Sequence, residues 1–396
     1  MKQKDTTVLV VILLNQYVMG RKNLLKGKNF SGAIKEKGRY QMELSKIQKE
    51  IVEAKEPYIL VNSCAGSGKT RCLVHRLQYL LNIGVAPSKI VTITFTNAAA
   101  EEILDRIARP QGLFVGTIHS YANQLLLMGG VDTSDILDKE QFDKLFSRIK
   151  KHPDCIKEVE YLLLDEGQDS TAQQFEFALE TVNPKNWMIF SDHRQSIYRF
   201  SGATPEYILN LMESPEVTTY ELTENYRNAP EILQYAKNGI RTLGKDYEDY
   251  SIPMSKFHGR VIDVPYSGEG IVTTIERYVN RGDCDYKDWF ILTRTNAELD
   301  AIMQVLNRHK IPADTFKRAQ LDNKGLKEKM RENTVKVLTI HTAKGLEADN
   351  VVVIGARYRD IEEKCVNYVA ATRARKLLVW AYKTNTRKPK TEYWGG

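Results

Sequence analysis

The sequence predicts an α/β protein of two consecutive units, each built on a parallel sheet. Short apolar runs alternate with amphipathic stretches along the 396-residue chain, which is typical of parallel-sheet proteins. The second half of the chain repeats the alternation of the first half. A glycine-rich turn, Gly66-Ser67-Gly68, separates the first apolar run from a following amphipathic stretch, a position that favours anion binding. The chain is long enough for two domains with separate cores.

The first unit is expected to contain five strands with helices between them. The predicted strands are YILVNS, KIVTITF, LFVGTI, YLLLD and WMIFSD. Lys69–Leu81 and Ala98–Ala108 are predicted as helices between these strands. Further helical stretches predict a short helical insert at about residues 121–158. The turn at Ser214-Pro215 ends this first domain, residues 42–215.

The second unit, residues 216–396, repeats the pattern. Its predicted strands are VIDVPY, WFILTR, VKVLTI, NVVVIGA and LLVWAY. Its predicted helices are Pro230–Ile240, Ala297–His309 and Ile361–Arg373. The two units together predict a tandem α/β protein with a cleft between its halves.

The first 41 residues differ from the rest and are interpreted as an N-terminal extension. They hold nine of the 57 basic residues and two of the 50 acidic residues. The apolar run Val8–Leu14 is shorter than the ~18 residues of a membrane span, and no cleavage-site pattern follows it. Because Met42 directly precedes the first patterned segment, a mis-assigned start is one hypothesis. A poorly packed basic arm is the other.

Net charge is informative about possible binding partners, and the spacing of the cysteines is informative about the cellular compartment. The whole chain carries a formal charge of +7, but residues 42–396 hold 48 basic and 48 acidic residues. Bulk charge therefore says nothing about the partners of the two units. The five cysteines have neither disulfide-framework nor zinc-site spacing, which predicts a cytoplasmic protein without a zinc site. The shortness of the apolar run Val8–Leu14 predicts that the protein does not span a membrane.

The stretch VNSCAGSGKT, Val61–Thr70, resembles a phosphate-binding loop except that Ser63 stands at the usual first glycine. Glycines at 66 and 68 would let backbone N–H groups surround a phosphate at a helix N-terminus. Lys69 is expected to neutralise phosphate oxygens, and the Thr70 hydroxyl to ligate Mg²⁺. The alternative is a strand-to-helix turn that uses glycine only for its backbone freedom. The predicted nucleotide-binding residues of this loop are Ser63, Ala65, Gly66, Ser67, Gly68, Lys69 and Thr70.

A second acidic element, YLLLDEGQD, places Asp165 and Glu166 at the C-terminal end of an apolar strand. Open α/β sheets bind their ligands at this end of the strands. Asp165 is expected to hold the Mg²⁺ shell, and Glu166 to take a proton from an attacking water. A lone DE pair would more often be a solvated turn, but this pair follows a strand downstream of a phosphate loop.

The later motifs resemble those of the UvrD/Rep/PcrA group of superfamily 1A DNA helicases, in family order from Leu44 to Tyr382. The segments that carry the resemblance are LSKIQ, FTNAAAEE, GTIHS, DEGQD, SDHRQSIYRFSGA, LTENYRN, ILTRTN, LTIHTAKGLEAD and YVAATRARK. The resemblance implies two tandem RecA-like P-loop NTPase domains with small helical insertions. It also implies an ATP- and Mg²⁺-dependent DNA helicase or translocase that moves 3′ to 5′ along single-stranded DNA and unwinds duplexes.

The resemblance assigns roles at the expected ATP site. Arg227 and Arg373 become the γ-phosphate arginines, and Gln195 becomes the γ-phosphate sensor. Gln48 is the implied adenine reader. Arg71 and Tyr226 are placed like the residues that sandwich adenine, and Glu347 like the ribose contact. Both arginines lie in the second unit, so closing the cleft over ATP would bring them to the phosphates.

The resemblance also places the single-stranded DNA. Stacking on aromatic side chains and polar contacts to the backbone are the usual means of binding single strands. The expected stacking residues are Phe95, Tyr198 and Phe200, although Phe95 and Tyr198 border apolar strands and have a place in the core as their alternative. The expected polar contacts are Thr96, Asn97, Thr117, His119 and His341. Junctions of single and double strands are the implied substrate, with replication or repair proteins as further partners.

The chain departs from the family mainly in the short length of two segments between its motifs. His119 and Asp165 are 46 positions apart, and Arg294 and Thr339 are 45 positions apart. The large accessory subdomains of the family do not fit in either gap. Two alternatives to a helicase therefore stand: a single-strand translocase or protein-stripping ATPase with little unwinding, and a nucleotide-switched regulatory binding module.

Overall fold

Two parallel six-stranded sheets organise the part of the chain that the computed structural model describes, residues 43–317 and 323–382. The predicted N-terminal extension lies outside the described residues. All pairings within the two sheets are parallel, which confirms the predicted α/β class with its two sheets. Within residues 43–317 and 323–382, no helix is long and apolar enough to span a membrane.

The first sheet has the strand order β3-β2-β4-β5-β1-β6. Its strands are β1 Tyr58–Ser63, β2 Ile90–Thr94, β3 Phe114–Thr117, β4 Tyr161–Leu164, β5 Asn186–Ser191 and β6 Thr218–Leu222. Apolar clusters cover both faces of this sheet. Strands buried on both faces read as continuous apolar runs, which is why the sequence predicted the first five.

The helices of the first half pack on these two faces. They are α1 Lys46–Glu53, α2 Lys69–Asn82, α3 Asn97–Leu104, α4 Ile118–Met128, α5 Ser134–Leu137, α6 Lys144–Lys151, α7 Ala172–Phe175 and α8 Pro205–Glu213. A capping box starts α1, because Ser45 accepts from the Gln48 N–H and Gln48 accepts from the Ser45 N–H. Gly68 in the left-handed conformation starts α2. The predicted insert consists of most of α4 with α5 and α6, whose apolar residues join one core cluster.

The second sheet has the strand order β11-β12-β10-β13-β14-β9. Its strands are β9 Arg260–Pro265, β10 Trp289–Thr293, β11 Ala313–Asp314, β12 Val335–Thr339, β13 Ala348–Ile354 and β14 Ala374–Tyr382. Its helices are α9 Pro230–Ile240, α10 Gly268–Asn280, α11 Asn296–Arg308, α12 Asn323–Arg331 and α13 Ile361–Ala371. Two further apolar clusters cover its faces, so each sheet has its own core.

The change from one sheet to the other falls later than the predicted boundary at residues 215 and 216. Strand β6 pairs with β1 as the outer strand of the first sheet, from Ile59 with Thr218 to Ser63 with Leu222. Its residues alternate less in polarity than a typical strand and are only partly buried, so the sequence pattern missed it. A two-stranded sheet of β7 Glu224–Asn225 and β8 Ile252–Pro253 follows directly.

Arg194 is the buried charge that ties the end of β5 to a loop of the second half. Its guanidinium donates to Asp192 at 2.7 Å, to the Ser63 carbonyl at 2.8 Å and to the Glu248 carbonyl at 3.1 Å. Asp249 lies 3.5 Å away and accepts from the Tyr368 hydroxyl. Because a buried carboxylate needs a partner, this network makes the contact between the halves specific.

Arg194→Met should lower the free energy of unfolding by about 3–5 kcal/mol, because it leaves buried Asp192 without its cation. Equilibrium unfolding in urea, followed by circular dichroism, measures the loss. Arg308→Met is the matched control, since Arg308 is exposed on α11, and it should change stability by less than about 0.5 kcal/mol. Equal effects of the two substitutions would contradict a structural role for Arg194.

Candidate active site

The predicted phosphate loop folds as a turn ahead of α2. Its Gly68 has φ of 84°, a conformation that residues with a Cβ rarely adopt. The Ser67 hydroxyl donates to the Cys64 carbonyl at 2.9 Å, and the Ser63 hydroxyl donates to the Ser191 carbonyl at 2.7 Å. These bonds hold the loop at the N-terminus of α2, where free backbone N–H groups favour an anion.

The second half of the chain contacts the same loop from the other side. The Asn225 side chain donates to the Ala65 carbonyl at 2.7 Å, and the Tyr226 N–H donates to the Gly66 carbonyl at 3.0 Å. Gly66 has φ of 68°, and a Cβ placed on it would lie 2.5 Å from the Cβ of Arg227. Glycine is therefore required at this position both by its backbone angle and by the approach of Arg227.

Lys69 and Glu166 face each other across the start of α2. The Lys69 Nζ lies 3.5 Å from the Glu166 Oε2, and both side chains are largely buried. Burial alone would lower the pKa of Lys69, but Glu166, Asp192 and Asp165 together raise it above its ordinary value. Lys69 is thus a fully charged cation whose surroundings are acidic.

The two carboxyls of the acidic pair differ in charge. Burial and the neighbouring Glu166 raise the pKa of Asp165 to about 7. Burial would also raise the pKa of Glu166, but Lys69 and Lys344 lower it to about 2. Glu166 has φ of 53°, an uncommon angle for a residue with a side chain, and its carboxylate accepts from Gln168. Glu166 is consequently an ionised carboxylate held by a hydrogen bond and a candidate base, whereas at Asp165 burial and the charge of Glu166 outweigh the opposing charge of Lys69.

The predicted Mg²⁺ ligands fit a hard cation that is shared with a phosphate ligand. A hydroxyl and a carboxylate, Thr70 and Asp165, are the oxygen types that Mg²⁺ prefers. A bound cation would lower the pKa of Asp165 again, because its charge would oppose the effects of burial and of Glu166. In the described part of the chain, no group of three or more His, Cys, Asp or Glu side chains could hold a metal alone. Such a site needs phosphate oxygens and water to complete the shell.

Gln195 lies at the centre of the contacts between the halves. Its Nε2 donates to Asp192 at 2.7 Å, and its Oε1 accepts from Arg373 at 3.0 Å. Its backbone carbonyl accepts from the Lys344 Nζ at 2.7 Å. The side chain therefore joins an acid of the first half to a cation of the second.

The two predicted γ-phosphate arginines, Arg227 and Arg373, approach the loop from the second half. Arg373 is 1% exposed, and burial together with Arg227 lowers its pKa to about 9. Two guanidinium groups this close repel each other unless an anion lies between them. Arg227 pairs with Glu347, and this pairing holds the pKa of Glu347 below its ordinary value despite burial. The predicted ribose contact, Glu347, is thus engaged by an arginine in this state, and its role stays a prediction.

The three side chains predicted to contact adenine lie beside the loop. Gln48 is buried and donates to the Ser67 carbonyl at 3.2 Å. Tyr226 donates through its hydroxyl to Glu224 at 2.9 Å. Burial and Glu224 raise the pKa of Tyr226, and Arg71 lies close enough to oppose the shift. Arg71 and Tyr226 are therefore neighbours, as a pair of stacking residues must be, and their adenine role stays a prediction.

The predicted DNA-stacking residues form one partly exposed aromatic cluster. Phe95 and Tyr198 stack with ring centroids 5.0 Å apart, and Phe200 lies 6.0 Å from Tyr198. Phe95 is 42% exposed and Phe200 is 71% exposed, so neither is a core residue. His341 lies 5.5 Å from Phe200, and its Nε2 is 3.2 Å from the Ile197 carbonyl. Burial and Arg294 lower the pKa of His341, which keeps its ring neutral.

The remaining predicted DNA contacts are partly occupied by local structure. Thr96 and Thr117 are N-caps, which accept from the Ala99 and Ser120 N–H groups at 3.2 and 3.3 Å. Asn97 is exposed at the first position of α3. The hydroxyl of Thr96 can still donate a hydrogen bond to a ligand, and the exposed side-chain amide of Asn97 can contact one directly.

His119 is covered by the helical insert. Its Nε2 lies 3.0 Å from Asp143, and its ring stacks on Phe146 at 5.2 Å. Both partners belong to the segment that leads into and forms α6. The sequence predicted an open polar contact here, whereas the structure places the ring under the insert, and a DNA contact of His119 stays a prediction.

Sequence reasoning missed Lys344 and Asp169, which carry the buried ion pair between the halves. The Lys344 Nζ pairs with Asp169 and lies 5.2 Å from the ring centre of Tyr198. Burial raises the pKa of Asp169 to about 6 although Lys344 opposes this shift. Both residues stand inside motifs that the sequence identified, HTAKGLEAD and DEGQD. Their pairing depends on how the halves meet, which motif spacing alone does not give.

Comparison with known proteins identifies the family of the chain. Residues 44–154 and 141–216 match the family model of the UvrD/REP helicase N-terminal domain, and residues 313–385 match the UvrD-like helicase C-terminal domain. These models together cover more than half of the chain, which therefore belongs to the UvrD/REP helicase family.

Individual relatives are distant and mostly longer. YjcD of Bacillus subtilis is 25% identical over 67% of this chain and 47% of its own length. A Mycoplasma pneumoniae protein named "Probable DNA helicase" is 24% identical over 85% of this chain and 82% of its own. The ATP-dependent DNA helicase PcrA of Bacillus subtilis is 25% identical over 66% of this chain and 49% of its own. The chain spans about half the length of the two Bacillus proteins.

In Mg²⁺-free buffer, Asp165→Asn should raise the melting temperature at pH 8, and the gain should shrink toward pH 4. The folded pKa of Asp165, about 7, lies above its ordinary value, so the folded state binds more protons between these values. The wild type therefore loses stability as the pH rises from the ordinary pKa of Asp165 to its folded pKa of about 7, and the Asp165→Asn variant does not. Thermal denaturation with EDTA measures the difference.

Glu166→Gln is the matched control and should lower the melting temperature at pH 8. The folded pKa of Glu166, about 2, lies below its ordinary value, so its charge stabilises the fold above that value. Shifts of the same sign for the two variants at pH 8 would contradict the charge assignment of the pair.

Proposed function

We propose that this chain, a member of the UvrD/REP helicase family, is an ATP-dependent motor that binds single-stranded DNA. In this proposal, ATP hydrolysis drives 3′-to-5′ movement and the unwinding of duplexes at junctions of single and double strands. The carrying observation is that cations of both halves meet at this site: Lys69 faces Glu166, Arg227 lies against Gly66 of the loop, and buried Arg373 donates to Gln195. Three cations at one site fit a polyphosphate better than any other ligand class.

The residues of the first half would bind and activate ATP. Lys69 and the loop N–H groups would hold the β- and γ-phosphates, and Thr70 with Asp165 would hold Mg²⁺. The ion would neutralise phosphate charge when bound. Glu166, ionised and fixed by Gln168, would accept the proton of the attacking water. Gln48, Arg71 and Tyr226 would orient the base beside the loop.

The residues of the second half would complete the site. Arg227 and Arg373 would stabilise the charge that develops on the transferred phosphoryl group. For this role Arg227 must exchange its Glu347 partner for phosphate oxygens, because Glu347 now pairs with its guanidinium. Glu347 is then released toward the ribose. Binding of ATP would thereby draw the halves together on the loop.

Gln195 supports coupling between the ATP site and the DNA side. Its side chain contacts Arg373, and its carbonyl contacts Lys344, which in turn lies against the Tyr198 ring. Tyr198 belongs to the aromatic cluster with Phe95 and Phe200. A change at the γ-phosphate that moves Arg373 would therefore reach the base-stacking cluster through three successive contacts.

A second candidate function is a translocase that strips proteins from single strands and unwinds duplexes poorly. The small insert favours it: between β3 and β4 the chain holds α4, α5, α6 and a short turn, and these pack on the first core. Nothing in this segment extends away from the motor to grip a duplex. The other gap, between β10 and β12, holds α11, β11 and α12 in its described residues.

Lys69→Ala should abolish hydrolysis that single-stranded DNA stimulates, with a loss of at least about a hundredfold, because it removes the phosphate cation. Steady-state ATPase rates with and without oligo(dT) measure the effect, and circular dichroism verifies the fold. Lys256→Ala, an exposed lysine of the second half, is the control and should keep the wild-type rate. Retained stimulated turnover in Lys69→Ala would refute the site. Wild-type hydrolysis that ignores DNA would favour a regulatory module.

A 3′-tailed duplex and a protein-blocked single strand separate helicase from translocase. If the proposal holds, the wild type unwinds the tailed duplex with ATP and leaves a 5′-tailed duplex intact. The translocase alternative predicts displacement of streptavidin from a biotinylated strand with little strand separation. Unwinding of the 5′-tailed duplex alone would contradict the proposed polarity.

A further inference from the structure

A basic groove lies on the second half, between the outer strand β9 and the helix α10 that follows it. The cavity has a volume of about 250 Å³. Three arginines line it, Arg260 from β9, Arg277 from α10 and Arg281 just past its end. None of its lining residues belongs to the candidate active site, so the groove requires its own explanation.

The chain builds this groove by two simple periodicities. Alternate residues of a strand point to one face, which brings Arg260, Ile262 and Val264 together. Residues three and four apart share one face of a helix, which aligns Arg277, Tyr278 and Arg281. Strand β9 pairs with β14, and the described residues add no strand outside it. The groove is therefore open along the edge of the sheet.

The arginines are exposed and carry uncompensated charge. Within residues 43–317 and 323–382, none of the three guanidinium groups makes a hydrogen bond or an ion pair. Other surface arginines of this protein do find partners, for example Arg148 with Asp135. The described lining of the groove contains no carboxylate. Three charges of one sign around one cavity favour an anionic ligand.

The floor of the groove is apolar and fixed. Ile262, Val264 and Tyr278 pack against the core cluster of the second sheet. The Tyr278 ring meets the buried Trp289 edge-on at 5.8 Å. A surface that binds only phosphates has no need of an apolar floor, whereas arginine and tyrosine around an apolar pocket are typical of protein-binding hot spots.

We propose that this groove binds an acidic, extended segment of a partner protein that carries one bulky apolar side chain. The volume decides against a nucleotide-sized ligand, since pockets for such ligands are usually ~300–1,000 Å³. One large side chain fills the cavity, and carboxylates before and after it pair with the three arginines. Extended peptides commonly dock beside an exposed edge strand, which is the place β9 offers. The site is independent of the proposed ATPase function.

A random 12-residue peptide library displayed on phage tests the proposal. Selection is made on the wild type, after removal of phage that bind the triple variant Arg260→Gln/Arg277→Gln/Arg281→Gln. Enriched sequences should hold at least three acidic residues around one Leu, Ile, Phe or Trp. An enriched peptide, labelled with fluorescein, should bind the triple variant at least tenfold more weakly in anisotropy titrations. Replacing its apolar residue by alanine should cause a loss of the same order.

The control variant Arg241→Gln/Arg308→Gln/Arg359→Gln removes the same charge from exposed positions elsewhere on the second half. It should bind the labelled peptide like the wild type, and both triple variants should keep the DNA-stimulated ATPase rate. Enriched peptides without acidic residues, or equal binding to both variants, would overturn the proposal. A groove variant that loses affinity for oligo(dT) but selects no peptides would make the groove a nucleic-acid surface. If the wild type forms a dimer that dissociates in the groove variant and not in the control variant, the groove is the binding site for a second copy of this chain.

Discussion

The close approach of Arg227 to Gly66 is the constraint on which the site depends. Residues 225–227 lie on the phosphate loop, and two loop carbonyls accept hydrogen bonds from the Asn225 side chain and the Tyr226 N–H. No side chain fits at Gly66 without displacing Arg227. The predicted phosphate loop is consequently in contact with both halves of the molecule.

Charge balance explains the rest of the cleft. Lys69 lies among acids, and Arg373 lies beside another arginine with a lowered pKa. Burial and the neighbouring Glu166 raise the pKa of Asp165 to about 7, although Lys69 opposes this shift. A polyphosphate with a divalent cation would oppose two of these shifts, because the phosphate would favour charged Arg373 and the cation would favour ionised Asp165. The charged groups of the cleft are therefore already positioned for the expected ligand before it binds, as they are in preorganised catalytic sites.

The sequence predicted much of this molecule because its signals are local. Continuous apolar runs identified ten strands, and the glycine turn with Lys69 identified the loop. Strand β6 was not predicted, because it is an outer strand with both polar and apolar residues and therefore lacks a continuous apolar run. The pairing of Lys344 with Asp169, the cover over His119 and the tie between Arg227 and Glu347 also escaped. These contacts join residues 24 to 175 positions apart, and only the assembled fold decides them.

The late end of the first sheet has a mechanical consequence. Strand β6 ends at Leu222 and the second six-stranded sheet begins with β9 at Arg260, so the described chain passes between the two sheets through residues 223–259. This connection includes Asn225 and Tyr226, whose hydrogen bonds hold it on the phosphate loop. A displacement of the loop would therefore act directly on the segment that joins the two sheets.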